Sequence, residues 1–255
     1  MNSPQNAVVS RRAALSATVV AGLTVRAQPA STKSVRTQAV GHVVLLGDSV
    51  FDNSGYLRGG GPDVVAQLRA RLPPEWQATL LARGGSVAAD VAGQLGRQPP
   101  DATHLIISAG GNDAGRREGA LIEPARSVAD GLARIAAIRE GFARDYRSML
   151  DTALRRGLPV AACTIYDPRF PEPGRREVAV VALAAFNDVI TREAFARSIP
   201  LLDLRLICSR NEDFAGPTGP SVSGGAKIAA AIAKWAAGYG PIQRRSEVFA
   251  GSAGN

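Results

Sequence analysis

The chain has 255 residues, enough for one large domain with a well-covered core. With 45% apolar and 20% charged residues it is too apolar to be disordered, and no apolar run reaches the roughly 18 residues of a membrane-spanning helix. The net charge is +8, but Arg11, Arg12, Arg26, Lys33 and Arg36 supply five of those charges, and the remainder forms no clustered basic patch of the kind nucleic acid requires.

Residues 1–27 read as an export leader. Ser10-Arg11-Arg12 has a twin-arginine look, Ala13 to Val25 is mildly apolar, and Val25-Arg26-Ala27 offers a small-residue cleavage site. A disordered Ser/Arg-rich tail or an organellar transit peptide has a similar composition. Export to the periplasm or the medium is therefore the expectation, with a cytoplasmic location as the alternative. Residues 28–40 read as a linker, and the folded domain is expected over 41–240.

Within that domain His42–Leu46 is a continuous apolar run, as expected of a strand buried on both faces. Trp76–Ala82, His104–Ala109, Pro159–Ile165 and Ile199–Leu206 repeat the theme, giving five strands. Helix-period stretches lie between them: Asp63–Leu72, Val87–Leu95, one within Arg126–Arg156, and Val178–Ser198. Ser223 is expected to cap a last helix over Gly224–Ala237, ended by Gly238 and Gly240. Residues 241–255, small and polar, are expected to fray. Strands alternating with helices predict an α/β domain with a parallel sheet covered on both faces. Ligands in such sheets bind beyond the carboxyl ends of the strands.

No cofactor or metal site is expected. The two cysteines, Cys163 and Cys208, form no CxxC, and only two histidines accompany them. A disulfide between them and a pair of buried free thiols are both open. Dinucleotide binding is disfavoured because no GxGxxG follows a strand; Gly110-Gly111-Asn112-Asp113-Ala114-Gly115 carries Asn where the second glycine belongs.

Three strand ends carry suggestive residues. Gly47-Asp48-Ser49 follows the first strand, where Gly47 can turn the chain and leave a serine hydroxyl facing the crevice. Arg83-Gly84-Gly85-Ser86 follows the second, and a glycine there lets a backbone N–H approach a ligand. Gly110-Gly111-Asn112-Asp113 follows the third, and an asparagine amide can donate to a developing oxyanion. Each segment alone reads as an ordinary turn or cap. Together, in that order on one edge of the sheet, they resemble the GDSL/SGNH hydrolases, whose blocks are GDS, a glycine and GxND.

The resemblance covers roughly residues 42–237. It implies the SGNH hydrolase fold, a three-layer, flavodoxin-like, five-stranded parallel sheet. It also implies a serine hydrolase of ester or acyl bonds, with Ser49 as nucleophile and an oxyanion hole from the Ser49 N–H, the Gly85 N–H and the Asn112 side chain. The implied partner is a small-molecule or glycan ester, with no nucleic acid and no stable membrane insertion.

The family's fourth block, Asp-x-x-His-Pro-Ser, departs here. Pro220-Ser221 fits its frame, and Gly216 and Gly219 then stand where the acid and the histidine belong. His42 and His104 precede Ser49 and Asn112 by a whole strand, more than about 20 Å away at 3.3 Å per residue. Asp52, Asp167, Glu212 and Asp213 remain as candidate bases. The alternative is a non-catalytic member of the fold that binds a carbohydrate or acyl ligand.

Overall fold

The computed structural model describes residues 41–239 and 246–250; the expected leader and linker lie outside the described residues. The six strands are β1 (His42–Gly47), β2 (Gln77–Leu80), β3 (His104–Ser108), β4 (Val160–Cys163), β5 (Leu201–Leu202) and β6 (Val248–Phe249). They form one wholly parallel sheet in the order β2-β1-β3-β4-β5-β6. Five of them fall on the apolar runs. The sixth lies within the segment 241–255 expected to fray, and it corrects the strand count from five to six. The Leu201 N–H donates to the Glu247 carbonyl at 2.7 Å, and the Asp203 N–H donates to Phe249 at 2.9 Å.

The first and third strands are buried from end to end, and their side chains alternate between two cores. Val43 and Leu45 face α1 (Val64–Arg69) and α7 (Val222–Gly238), packing with Leu68, Ile232 and Trp235. Val44 and Leu46 face α2 (Val91–Leu95), α4 (Val128–Leu154) and α5 (Pro173–Ala196), packing with Leu95, Leu150 and Ile190. Each such side chain removed from water contributes about 1.5–3 kcal/mol. Three layers result.

Local signals set the element ends. Ile199–Leu206 yields a two-residue strand because the Asp203 carboxylate caps the short helix α6 (Leu204–Ile207), accepting from the Arg205 N–H. The last helix starts two residues before the expected Gly224, because Ser221 rather than Ser223 is its cap; the Ser221 hydroxyl accepts from the Gly224 N–H at 3.2 Å. Both histidines sit at strand starts as structural groups. His42 bonds Thr79 at 2.7 Å, and His104 bonds Thr103 at 2.8 Å and the Tyr239 carbonyl at 2.7 Å.

The order 2-1-3 reverses the direction of winding between β1 and β3. The segments leaving those two strands open a crevice, with Ser49 in the turn after β1 and Asn112 in the short helix that follows β3.

Candidate active site

The turn out of β1 is built around a residue that must be glycine. Gly47 has φ +114°, and a β-carbon there would stand 1.7 Å from the Ser108 carbonyl oxygen. The buried Gln94 clamps this turn, accepting from the Gly47 N–H at 2.7 Å and donating to its carbonyl at 2.8 Å. Asp48 follows, buried; its carboxylate accepts from the Val50 N–H at 3.0 Å and the Ser108 hydroxyl at 3.2 Å. Burial pushes its pKa up to about 7.

Ser49 stands next, half-buried at the mouth of the crevice. Its Oγ accepts a hydrogen bond at 3.2 Å from the hydroxyl of Tyr56, on a single 3-10 turn, Ser54–Tyr56. The buried Asn53 anchors that turn, donating to the Pro220 carbonyl at 3.2 Å and accepting from the Val64 N–H at 2.9 Å. Tyr56 in turn packs on Gly219. A β-carbon at Gly219 would lie 2.3 Å from the ring, so the phenol fills the space that a side chain at 219 would enter.

The second and third segments are tied together by α3 (Gly111–Gly115) and the residue that caps it. The Asn112 Nδ2 donates to the Ser86 carbonyl at 2.9 Å, Asp113 accepts from the Ala88 N–H at 3.1 Å, and the Arg116 guanidinium donates to the Gly85 carbonyl at 3.1 Å. Burial raises the pKa of Asp113. Gly85 takes φ +82°. The Gly84 N–H is already engaged, donating to Asp52 at 2.9 Å, whereas among the described residues the Gly85 and Ser49 N–H groups have no acceptor. Of the expected site residues, Ser49 and Asn112 line one cavity and Gly85 does not; its neighbour Gly84 is close to Ser49, a β-carbon there lying 3.8 Å from the Ser49 Cβ.

None of the four candidate carboxylates hydrogen-bonds Ser49. Asp52 accepts from Gly84. Asp213, fully buried, pairs with the Lys227 ammonium at 2.7 Å and accepts from the Arg210 N–H at 3.0 Å. Glu212 is exposed, 3.8 Å from Arg210. Asp167 makes no side-chain hydrogen bond to the site. Sequence reasoning missed Tyr56 and Gln94. Gln94 sits in a helix-period run with nothing to mark it, and Tyr56 is set beside Ser49 only by the Asn53 anchor.

The cavity beside Ser49 encloses about 700 Å³. Asp48, Ser49, Ser108 and Asn112 line it near the ends of β1 and β3, Arg117, Glu118 and Arg175 line it elsewhere, and the remaining wall is mostly aliphatic and aromatic. Both cysteines are buried and free, and burial pushes the Cys208 thiol up to about 12. Among the described residues no helix is long and apolar enough to cross a membrane.

The sequence profile of the GDSL-like lipase/acylhydrolase family matches residues 45–239, most of the chain. The chain belongs to that family. A comparison with curated protein sequences finds no match. Among solved structures, phospholipase A1 from Streptomyces albidoflavus is similar at 18% identity and TM-score 0.53, over 75% of this chain and 98% of that one. The lipase/acylhydrolase from Enterococcus faecalis is similar at 20% identity and TM-score 0.54, over 78% and 96%. A carbohydrate acetylesterase from Sinorhizobium meliloti is similar at 13% identity and TM-score 0.51, over 76% and 99%. At these identities the likeness is one of fold, and the three activities differ from one another. The family and its neighbours mark the chain as a hydrolase of the ester-cleaving kind.

Proposed function

We propose that Ser49 is the nucleophile of this hydrolase and that Tyr56, in place of the family's histidine, moves the protons. The observation that carries this reading is the hydrogen bond between the Tyr56 hydroxyl and the Ser49 Oγ, at the polar end of a cavity large enough for substrate. A nucleophile needs a proton-transfer partner within hydrogen-bond reach, and Tyr56 meets that geometric requirement.

The protons balance through a neutral phenol. As Oγ attacks the ester carbonyl carbon, its proton passes to the Tyr56 oxygen and the phenolic proton passes to the departing alkoxide. The C–O bond breaks and acyl-Ser49 forms. Water then attacks the acyl carbon and gives a proton to the Tyr56 oxygen, while the phenolic proton returns to Oγ along the hydrogen bond present in the free protein. Such assistance is typically worth about 10²–10⁴ in rate.

The oxyanion is held by the Ser49 and Gly85 N–H groups and by Asn112. An amide has two N–H bonds; the Ser86 carbonyl takes one and orients the group, leaving the other for the substrate. Gln94 and α3 keep these donors in place before substrate arrives. The expected partner is a small-molecule or glycan ester, and the Arg11-Arg12 leader makes export part of the same reading.

A second reading, a non-catalytic member of the fold that binds an acyl or carbohydrate ligand, draws on the glycines at 216 and 219. Turnover of p-nitrophenyl butyrate separates the two. Under the hydrolase reading the wild type turns the ester over, and Ser49→Ala abolishes turnover while keeping its thermal melt. No turnover by folded wild type, or equal turnover by both proteins, sinks it.

A further inference from the structure

Away from Ser49 the cavity runs between α4 and α5, with Ile138 on one helix and Phe186, Ala182 and Ala179 on the other. The α5 residues recur three or four apart, so they share one helix face, and the face continues to Val178 and Arg175. Phe186 is only 5% exposed and Val178 is 50% exposed, so this face leads from the interior to the surface. The sequence agrees. Residues 178–186 of α5 are apolar on every side, and such a helix stretch needs an apolar neighbour on each of its faces.

The dimensions suit one kind of ligand. At 1.5 Å per residue, the stretch from Arg175 to Phe186 spans about 16 Å. Three consecutive bonds of an extended chain advance about 3.5 Å, so this length matches an alkyl chain of about 12–14 carbons. A sugar seated against Phe186, Ala182 and Ala179 would bury hydroxyls without partners, which is costly, because the charged lining residues Glu118 and Arg175 stand only at the outer end.

Resting on the hydrolase reading above, we infer that this groove is an acyl-chain channel. The preferred substrates are linear aliphatic esters with acyl chains of at least about 12–14 carbons, which pass the small side chains of Ala182 and Ala179 on the way out. The acyl carbon sits at Ser49 and the chain runs outward along α5. The outer end carries exposed apolar side chains, Ile122 and Val178, and the Glu118–Arg175 ion pair at 2.8 Å.

The test is a chain-length profile of p-nitrophenyl esters from acetate to palmitate. For the wild type, kcat/KM rises towards laurate and myristate. Ala182→Trp blocks the groove about 6 Å from Phe186 and Ala179→Phe about 10 Å from it. The first therefore moves the optimum to around hexanoate and the second to around decanoate, each lowering the ratio of laurate to the new optimum at least about 10-fold. Should Ala182→Trp fail to fold in a melt, Ala179→Phe, nearer the surface, carries the comparison alone.

A binding measurement separates this inference from the reading beneath it. Ser49→Ala should bind the fluorescent fatty acid cis-parinaric acid, laurate should displace it, and Ala182→Trp or Ala179→Phe in that background should weaken binding at least about 10-fold. No binding by folded Ser49→Ala, or a chain-length profile that neither variant alters, overturns the channel. Fatty-acid binding in a protein that hydrolyses no ester keeps the channel and overturns the hydrolase reading.

Discussion

The ring of Tyr56 and the missing side chain of Gly219 share one space: a β-carbon on Gly219 would stand 2.3 Å from the ring, whose hydroxyl reaches the Ser49 Oγ. A side chain at position 219, where the resemblance would put the family's histidine, and this tyrosine are therefore mutually exclusive occupants. Gly219→His alone should overpack the site, costing about 1–3 kcal/mol and lowering the melting temperature without raising ester turnover. Adding Tyr56→Ala and Gly216→Asp should recover part of the melt, and turnover should then rise with pH through about 6–7 as an imidazole loses its proton. A Gly219→His protein as stable as wild type would mean that the ring does not occupy this space.

Asn112→Ala should lower kcat about 10²–10³-fold with little change in KM, the effect of losing one donor that acts mainly in the transition state. Asn112 also ties α3 to Ser86, so a parallel melt is needed. An effect confined to KM in a folded protein would make Asn112 a binding residue.

Burial holds the carboxyl of Asp48 at about 7, above the unfolded value near 3.9. The folded protein therefore keeps a proton that the unfolded chain releases. That contribution to stability is complete below about pH 4 and is lost as pH rises through about 7. Asp48→Asn keeps an acceptor for the Val50 N–H and the Ser108 hydroxyl without the charge. Its melting temperature relative to wild type should rise between pH 5 and pH 8 by at least about 2–4 °C, the change that 1 kcal/mol produces in a domain of this size. A difference that stays flat with pH would show that Asp48 does not titrate in this range.

The architecture was readable because strands buried on both faces leave continuous apolar runs, such as His42–Leu46, and because Gly47, Ser49 and Asn112 follow such runs directly. The sixth strand was not. Val248–Phe249 is two residues long, and it pairs with β5 through backbone groups that carry no sequence signal. The site was half readable in the same way. The proposed nucleophile and oxyanion residues sit at strand ends, whereas Tyr56 is brought to Ser49 by the bonds of Asn53 to Pro220 and Val64, contacts that spacing does not reveal. The carboxylates that spacing did suggest are spent elsewhere, Asp213 on Lys227 and Asp52 on Gly84.

The pairing of Ser49 with Tyr56 is tested most directly by the rate at which a fluorophosphonate labels the protein. The reagent needs an activated serine and no particular acyl group. Wild type should label at Ser49, located by peptide mass analysis, and Ser49→Ala should not label. Tyr56→Phe, which removes one oxygen and keeps the ring against Gly219, should label about 10²–10⁴-fold more slowly with an unchanged melt. Labelling of Tyr56→Phe at the wild-type rate would contradict the proton-transfer role of Tyr56, and labelling at a residue other than Ser49 would contradict the site itself.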